Sequence, residues 1–183
     1  MMKKTPVIAL AVGAMTVLGW LFHRHSRTPS GPVVHVRNQF EFTVHAPYCV
    51  AAPLFGPEGE RVWADHWDPH FLYPQPAQDI RGAVFTVQRG HHQAYWINTS
   101  FDVDARHFQY VYLIRDVMIV LIDVRFSDLD SGNTKVSVAY ERTALNPKAN
   151  EHVRESGNSD RESGKEWGTA INDYLAKRKT AND

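Results

Sequence analysis

Cysteine is nearly absent from this 183-residue sequence, which contains only Cys49. A single cysteine excludes an intrachain disulfide and any zinc site built from several cysteines. Cys49 lies near the start of an expected short helix and has no neighbouring histidine in sequence. We therefore expect a buried, unreactive thiol rather than an activated nucleophile.

The sequence also lacks the common catalytic signatures. It contains no Gly-x-Ser-x-Gly nucleophile elbow, no phosphate-binding glycine loop and no dinucleotide-binding fingerprint. His66 and His70 are four residues apart and would share one face of a helix as metal ligands, but Pro69 ends the helix between them. We expect neither a metal site nor a cofactor, and we identify no residue as catalytic.

Acidic residues are absent from the first 37 positions, which carry five of the 20 Lys and Arg residues. The remaining positions carry 15 Lys and Arg and all 20 Asp and Glu, so their net charge is 15 − 20 = −5. A negative surface disfavours phosphate binding, and we expect no nucleic-acid partner.

An apolar run at residues 7–22 lies between Lys3-Lys4 and a basic stretch at residues 23–27. As a helix it would span about 24 Å, close to the roughly 30 Å of a bilayer core. We prefer an uncleaved single-pass anchor in a membrane, because the small residues of a cleavage site lie inside the run and not after it. A cleaved signal, leaving a secreted or periplasmic protein, remains the alternative. Basic residues are nearly balanced on the two sides, so the sidedness is not determined.

The predicted organisation has three parts. Residues 1–25 form the anchor or signal, residues 26–37 form a linker containing two prolines and a glycine, and residues 38–179 form one domain.

Alternation of polar and apolar residues predicts a half-buried strand at residues 39–45, with Phe40, Phe42 and Val44 on one face. Two short helices, at residues 48–55 and 60–66, and a proline-rich loop follow. Period-two alternation then predicts strands at residues 84–88, 93–103, 108–115, 117–127 and 134–143. Their short connections indicate antiparallel neighbours.

The last segment, residues 146–179, is predicted to be helical in its second half. An apolar stripe runs along that half through Trp167, Ile171, Tyr174 and Leu175. Glycines in the first half predict a kink or irregular turn there. A curved sheet needs its concave face covered, and this helix is the element long enough to cover it. The space between helix and sheet is the natural ligand site.

Several segments carry a resemblance to a known superfamily: Phe42-Thr43-Val44, residues 54–63, Trp67-Asp68-Pro69, residues 82–85, Tyr95-Trp96, residues 140–143 and Glu166-Trp167. On these segments the chain resembles the helix-grip superfamily of START lipid-transfer domains, polyketide cyclases and birch-pollen allergens, often called SRPBCC. The resemblance covers about residues 40–175 and is greatest with uncharacterised bacterial members. It implies an α+β helix-grip fold, with a strongly curved antiparallel sheet wrapped around a long C-terminal helix.

Aromatic residues are the candidate ligand-binding set: Trp63, Trp67, Trp96, Tyr110, Tyr112 and Trp167. In one interpretation their rings line a pocket and their polar tips orient a hydrophobic guest. In the other interpretation they fill the space between helix and sheet.

Polar candidates have a functional and a structural interpretation. Glu58 or Glu60 would act as a general base, or Arg61 would hold an acidic ligand group. We prefer the structural account, in which Glu60 stabilises the start of a short helix and Arg61 pairs with an acid. The pair His91-His92 is interpreted as a solvated turn.

Three strand positions are also polar: Asn98, Ser100 and Asp123. Alternation on a half-exposed sheet accounts for them, although one of them would face the cavity in the functional interpretation.

Three hypotheses of function follow. The first is a membrane-tethered binding module that encloses a small hydrophobic or lipid-like ligand. The second, implied by the resemblance alone, is a polyketide cyclase or aromatase that uses polar pocket residues for proton transfer. The third is a scaffold whose interior is filled by its own side chains.

Overall fold

The computed structural model describes residues 31–129 and 132–181. The strands are β1 (His35–Val44), β2 (His70–Tyr73), β3 (Val84–Arg89), β4 (His92–Asp102), β5 (His107–Ile114), β6 (Met118–Leu129) and β7 (Asn133–Ala144). The helices are α1 (Tyr48–Ala51) and α2 (Asn150–Thr180), with 3₁₀ turns at Ala52–Phe55, Gly59–Val62 and Pro147–Ala149.

The seven strands form one sheet in the order β1-β7-β6-β5-β4-β3-β2, and every neighbouring pair is antiparallel. The first strand therefore pairs with the last, so that Phe40 lies opposite Val138. This strongly curved sheet with its long C-terminal helix confirms the predicted α+β architecture.

Strict alternation places one face of each long strand in the core. On β7 the buried positions are Thr134, Val136, Val138, Tyr140, Arg142 and Ala144. On β1 the predicted inward face is confirmed, with Phe40 and Val44 buried and Phe42 partly buried. Helix α2 packs against β1 and β7 and covers this concave face.

The irregular turn predicted in the first half of α2 is wrong, since helical structure runs unbroken for 31 residues. Its glycines allow the backbone of α2 to pack closely against β1. A Cβ atom on Gly164 would lie 2.8 Å from Cδ2 of Phe40, and one on Gly168 would lie 3.3 Å from Cβ of Phe42. Small residues at these positions let the helix backbone sit directly on aromatic side chains of β1, which outweighs the low helix propensity of glycine.

A buried ion pair fastens α2 to the sheet. Arg142 of β7 donates to both carboxylate oxygens of Asp160, at 2.9 and 2.8 Å, and the two side chains are only 8% and 4% exposed. Asn38 of β1 also donates to Asp160, at 3.1 Å. Three elements therefore meet at one carboxylate.

Other predictions of local structure need correction. The proline-rich loop contains the short strand β2, and the predicted helix at residues 60–66 is only the 3₁₀ turn Gly59–Val62. Cys49 is exposed and not buried, because α1 turns Ala51 toward the core instead. Strand β1 begins at His35, four residues before the predicted start.

The predicted N-terminal anchor at residues 1–25 lies outside the described residues. None of the helices within residues 31–129 and 132–181 is both long and apolar enough to cross a membrane.

Candidate functional site

A cavity of about 440 Å³ lies between the concave face of the sheet, α2 and the segment that precedes β2. It is lined by Phe55, Pro57, Glu60, Trp63, Ala64, Asp65, Trp67, Phe85, Arg89, Trp96, Tyr110, Ile122, Val124, Tyr140, Glu166, Trp167 and Ala170. Three of these residues, Asp65, Arg89 and Glu166, are exposed, so the cavity reaches solvent at their end.

The segment that forms one wall is held by the carboxylate of Asp79. Its two oxygens accept hydrogen bonds from the backbone N–H groups of Glu58 (2.9 Å) and Gly59 (3.3 Å). Burial raises the pKa of Asp79, and these two donors act in the opposite direction. A Cβ atom on Gly59 would lie 1.8 Å from the carbonyl oxygen of Pro53, so only glycine fits there. This tight turn places Glu60 at the cavity.

Two indole nitrogens of this segment donate hydrogen bonds to backbone carbonyls. Trp63 Nε1 donates to the carbonyl of Leu54 at 2.7 Å, and Trp67 Nε1 donates to the carbonyl of Pro57 at 2.8 Å. These bonds fix the two rings. Their polar tips are not free to orient a guest, so these residues offer the cavity their ring surfaces.

Aromatic residues also pair directly across the strands. Phe85 of β3, Trp96 of β4 and Tyr112 of β5 lie opposite one another and stack, with centroids 5.8 Å and 4.3 Å apart. The ring of Trp67 meets Trp96 edge-on at 5.3 Å. Trp96 Nε1 is buried and has no partner among the residues that the structure describes.

The two tyrosines of the cavity differ. Tyr110 donates its hydroxyl to the carbonyl of Phe55 at 2.5 Å, which ties β5 to the end of the 3₁₀ turn. Tyr140 makes no hydrogen bond through its hydroxyl within residues 31–129 and 132–181. Burial, followed by the neighbouring Tyr112 hydroxyl, raises the Tyr140 pKa, so its phenol stays protonated at neutral pH and can donate to a guest.

Glu60 is the least exposed of the three carboxyl groups among the described lining residues, since Asp65 and Glu166 are exposed. The residue is only partly exposed, and its side chain has no hydrogen bond or ion pair in the described part of the chain. Burial raises the pKa of Glu60 to about 8, while Arg89 lowers it and Asp79 raises it further. A carboxyl group with this pKa is mostly protonated at pH 7.

The neighbouring candidates have structural roles. Arg61 pairs with Glu58 at 2.9 Å and with Asp68 at 2.6 Å, which confirms the structural interpretation of Arg61. Glu60 does lie in the first turn of Gly59–Val62, as that account expected, but its side chain lines the cavity.

Five of the six predicted aromatic residues lie together in the cavity wall: Trp63, Trp67, Trp96, Tyr110 and Trp167. Tyr112 is not in the lining and instead stacks against Trp96 on the same face of the sheet. Whether these rings contact a ligand stays a prediction. Sequence reasoning missed Tyr140 and Phe85, although both lie in phase with other buried positions of their strands.

The remaining candidates lie apart from the cavity lining. His66 and His70 are exposed, as are His91 and His92 at the β3–β4 turn. Residues 31–129 and 132–181 contain no group of three or more His, Cys, Asp or Glu arranged to hold a metal ion.

The three polar strand positions divide between the two faces of the sheet. Asn98 is fully buried and donates to the carbonyl of Ile80 at 3.2 Å. Asp123 pairs with His107 at 2.6 Å, and Ser100 donates to the His107 carbonyl at 3.4 Å.

Comparisons with known proteins agree with this architecture. No protein-family model matches the chain, and no curated protein matches its sequence. A norcoclaurine synthase point mutant from Thalictrum flavum, in complex with a transition-state analogue, superposes with a TM-score of 0.61 at 10% identity, covering 82% of this chain and 99% of that one.

Two further structures are similar. Ara h 8.0201 superposes with a TM-score of 0.57 at 11% identity, over 79% of this chain and 99% of that one. An uncharacterised protein from Rhizobium leguminosarum superposes with a TM-score of 0.56 at 16% identity, over 80% of this chain and 97% of that one. This protein therefore has the helix-grip fold that the sequence resemblance predicted. At such identities the likeness shows the fold alone.

Proposed function

We propose that this protein binds a small hydrophobic molecule in the cavity between the sheet and α2. The observation that carries the proposal is the cavity itself, about 440 Å³, in which eight of the 17 lining residues are aromatic. Sites for small molecules typically have about 300–1,000 Å³ and mostly apolar walls with a few polar groups. Two polar groups of the lining meet that description here, the Glu60 carboxyl and the Tyr140 hydroxyl.

The geometry argues against an interior filled by its own side chains. The rings of Trp63 and Tyr110 are anchored by hydrogen bonds to backbone carbonyls, so they are not free to collapse into the space. The space persists because the turn of residues 56–59 and helix α2 are each fixed to other parts of the fold.

Native mass spectrometry of the detergent-extracted full-length protein tests the proposal. We expect an additional small-molecule mass that is released by collisional activation. Ala170 of α2 lines the cavity, and the variant Ala170→Trp places an indole inside it. That variant is expected to lose the bound mass and to bind an added hydrophobic fluorescent probe at least about tenfold more weakly.

The matched control is Ala176→Trp, which places the same side chain on the exposed face of the same helix. It should retain both the bound mass and the affinity for the probe. A wild-type protein that is free of ligand and also fails to bind the probe would contradict the proposal.

We also propose that the domain is tethered to a membrane through residues 1–25. The support is the apolar run at residues 7–22 with basic residues on both sides. Full-length protein is expected to stay in the membrane pellet after an alkaline carbonate wash and to keep its N-terminal residues. A mature N-terminus near Met15 would show that the apolar run belongs to a cleaved signal and not to an anchor.

A second candidate function is catalysis by proton transfer, as in the cyclase hypothesis. The observation that favours it is a carboxyl group in a hydrophobic cavity with its pKa raised to about 8, close to the value suited to general acid–base chemistry at neutral pH. Once the bound molecule is identified, its chemical change on prolonged incubation with wild type but not with Glu60→Gln would establish this activity.

A further inference from the structure

We infer that the ligand of this cavity carries an organic cation on a hydrophobic body, and that the Glu60 carboxylate is its counter-ion. The inference rests on the proposed function and adds the chemical class of the ligand. It is carried by three features: a carboxyl group without an internal partner, walls that offer ring faces, and a mouth with an excess of acidic residues.

The walls offer a cation many ring faces, and the Tyr140 hydroxyl remains able to donate to a guest. The polar atoms of Trp63, Trp67 and Tyr110 are bound to backbone carbonyls, so these residues present aromatic surface and no free donor. Aromatic faces attract cations within about 6 Å of the ring centroid, most strongly where water is excluded. The site already shows this preference at its mouth, where the Arg89 guanidinium lies over the Trp67 ring, 5.5 Å from its centroid.

The charges also oppose an anionic ligand such as a fatty acid. Its carboxylate would pass Asp65 and Glu166 at the mouth and would face Glu60 inside, with Arg89 as the one cationic residue among the lining residues that the structure describes. With Glu60 ionised, the described residues of the lining carry three negative charges against one positive charge. Arg89 forms no ion pair with Glu60 in the described chain, so the carboxylate stays available to a guest.

Binding of a cation must therefore be linked to the ionisation of Glu60. The charged groups around it are Arg89 on β3, Asp79 before β3, Asp65 beside Trp63 and Glu166 on α2, while Tyr110 and Tyr140 remain neutral. Because the Glu60 pKa in the empty cavity is about 8, a permanently charged ligand should bind about tenfold more tightly at pH 7 than at pH 6. The dependence should level off above the pKa.

The test compares benzyltrimethylammonium with neopentylbenzene, its neutral isostere, on the full-length protein in detergent, by tryptophan fluorescence and equilibrium dialysis. At pH 8.5 we expect wild type to prefer the cation by at least about tenfold. Glu60→Gln should lose that preference and its pH dependence while still binding the neutral compound. Arg89→Gln, which removes the like charge, should bind the cation severalfold more tightly. Glu155→Gln, an exposed position of α2 away from the lining, should behave as wild type.

The outcomes separate the two proposals. If wild type binds the neutral compound as tightly as the cation at pH 8.5, the cation inference is wrong and the hydrophobic site remains. If neither compound binds, both fail. A cation preference that survives in Glu60→Gln, or wild-type affinity that does not change between pH 6 and 7, would exclude Glu60 as the counter-ion.

Discussion

Replacing Asp160 by alanine is expected to lower the free energy of unfolding by about 3–5 kcal/mol, the usual effect of removing one partner from a buried ion pair. The change leaves the Arg142 guanidinium buried without its counter-charge, and Nε of Arg142 already has no partner in the described residues. It also removes an acceptor of Asn38. Most small domains have only about 5–15 kcal/mol of stability. Urea denaturation followed by tryptophan fluorescence measures the loss.

The control variants distinguish an unpaired charge from lost packing. Asp173→Ala on the exposed side of the same helix should change stability by about 0.5 kcal/mol or less. The double variant Arg142→Met with Asp160→Leu replaces the pair with apolar side chains, and it should recover most of the loss. A single Asp160→Ala variant that loses less than about 1 kcal/mol would show that water reaches Arg142 and that the pair is not buried.

The same pair connects stability to the candidate site. Asp160 lies two helical turns before Trp167, which lines the cavity and meets Trp63 at 5.8 Å. A helix released at Asp160 would move this wall away from the sheet. Ligand affinity should therefore fall in Asp160→Ala even at temperatures where the variant is still folded.

Much of the sheet was predictable because period-two alternation is a local signal. The predicted strand at residues 108–115 is observed at His107–Ile114, and the one at residues 134–143 at Asn133–Ala144. Strand β2 was missed because four residues among prolines are too few to show a period. The kink in α2 was predicted from glycine propensity, whereas the reason for these glycines is an approach to β1 that only tertiary structure reveals.

The aromatic residues of the site were predictable from the sequence, but the placement of its charged residues was not. Large aromatic residues such as Trp63 and Trp96 are conspicuous in any sequence, and the fold brings them together around one cavity. Glu60 was interpreted as a helix-start residue, because its direction depends on a turn held by Asp79, 19 residues away. The position of Arg142 did contain a signal, since it lies in phase with Val138 and Tyr140 on the buried face, and a buried arginine requires an acidic partner.

The turn at Gly59 should be the most sensitive point of the site itself. Gly59→Ala brings a Cβ atom to 1.8 Å from the Pro53 carbonyl oxygen, a backbone atom that cannot swing aside, so the turn must open. We expect a loss of about 3 kcal/mol, at the upper end for overpacking, in urea denaturation. Displacement of the adjacent Glu60 should also weaken binding of the hydrophobic probe by at least about tenfold.

Gly90→Ala provides the matched control. Gly90 has φ +58° with no atom within 4 Å of an added Cβ, so alanine there costs about 1–2 kcal/mol through backbone conformation alone and leaves the cavity intact. Its probe affinity should equal that of wild type. Because Gly59 does not need a left-handed conformation, the effect of its replacement must come from the contact with Pro53. A Gly59→Ala protein with wild-type stability and affinity would mean that the segment carrying Glu60 is not held against the 3₁₀ turn, and that the carboxyl is not fixed in the cavity.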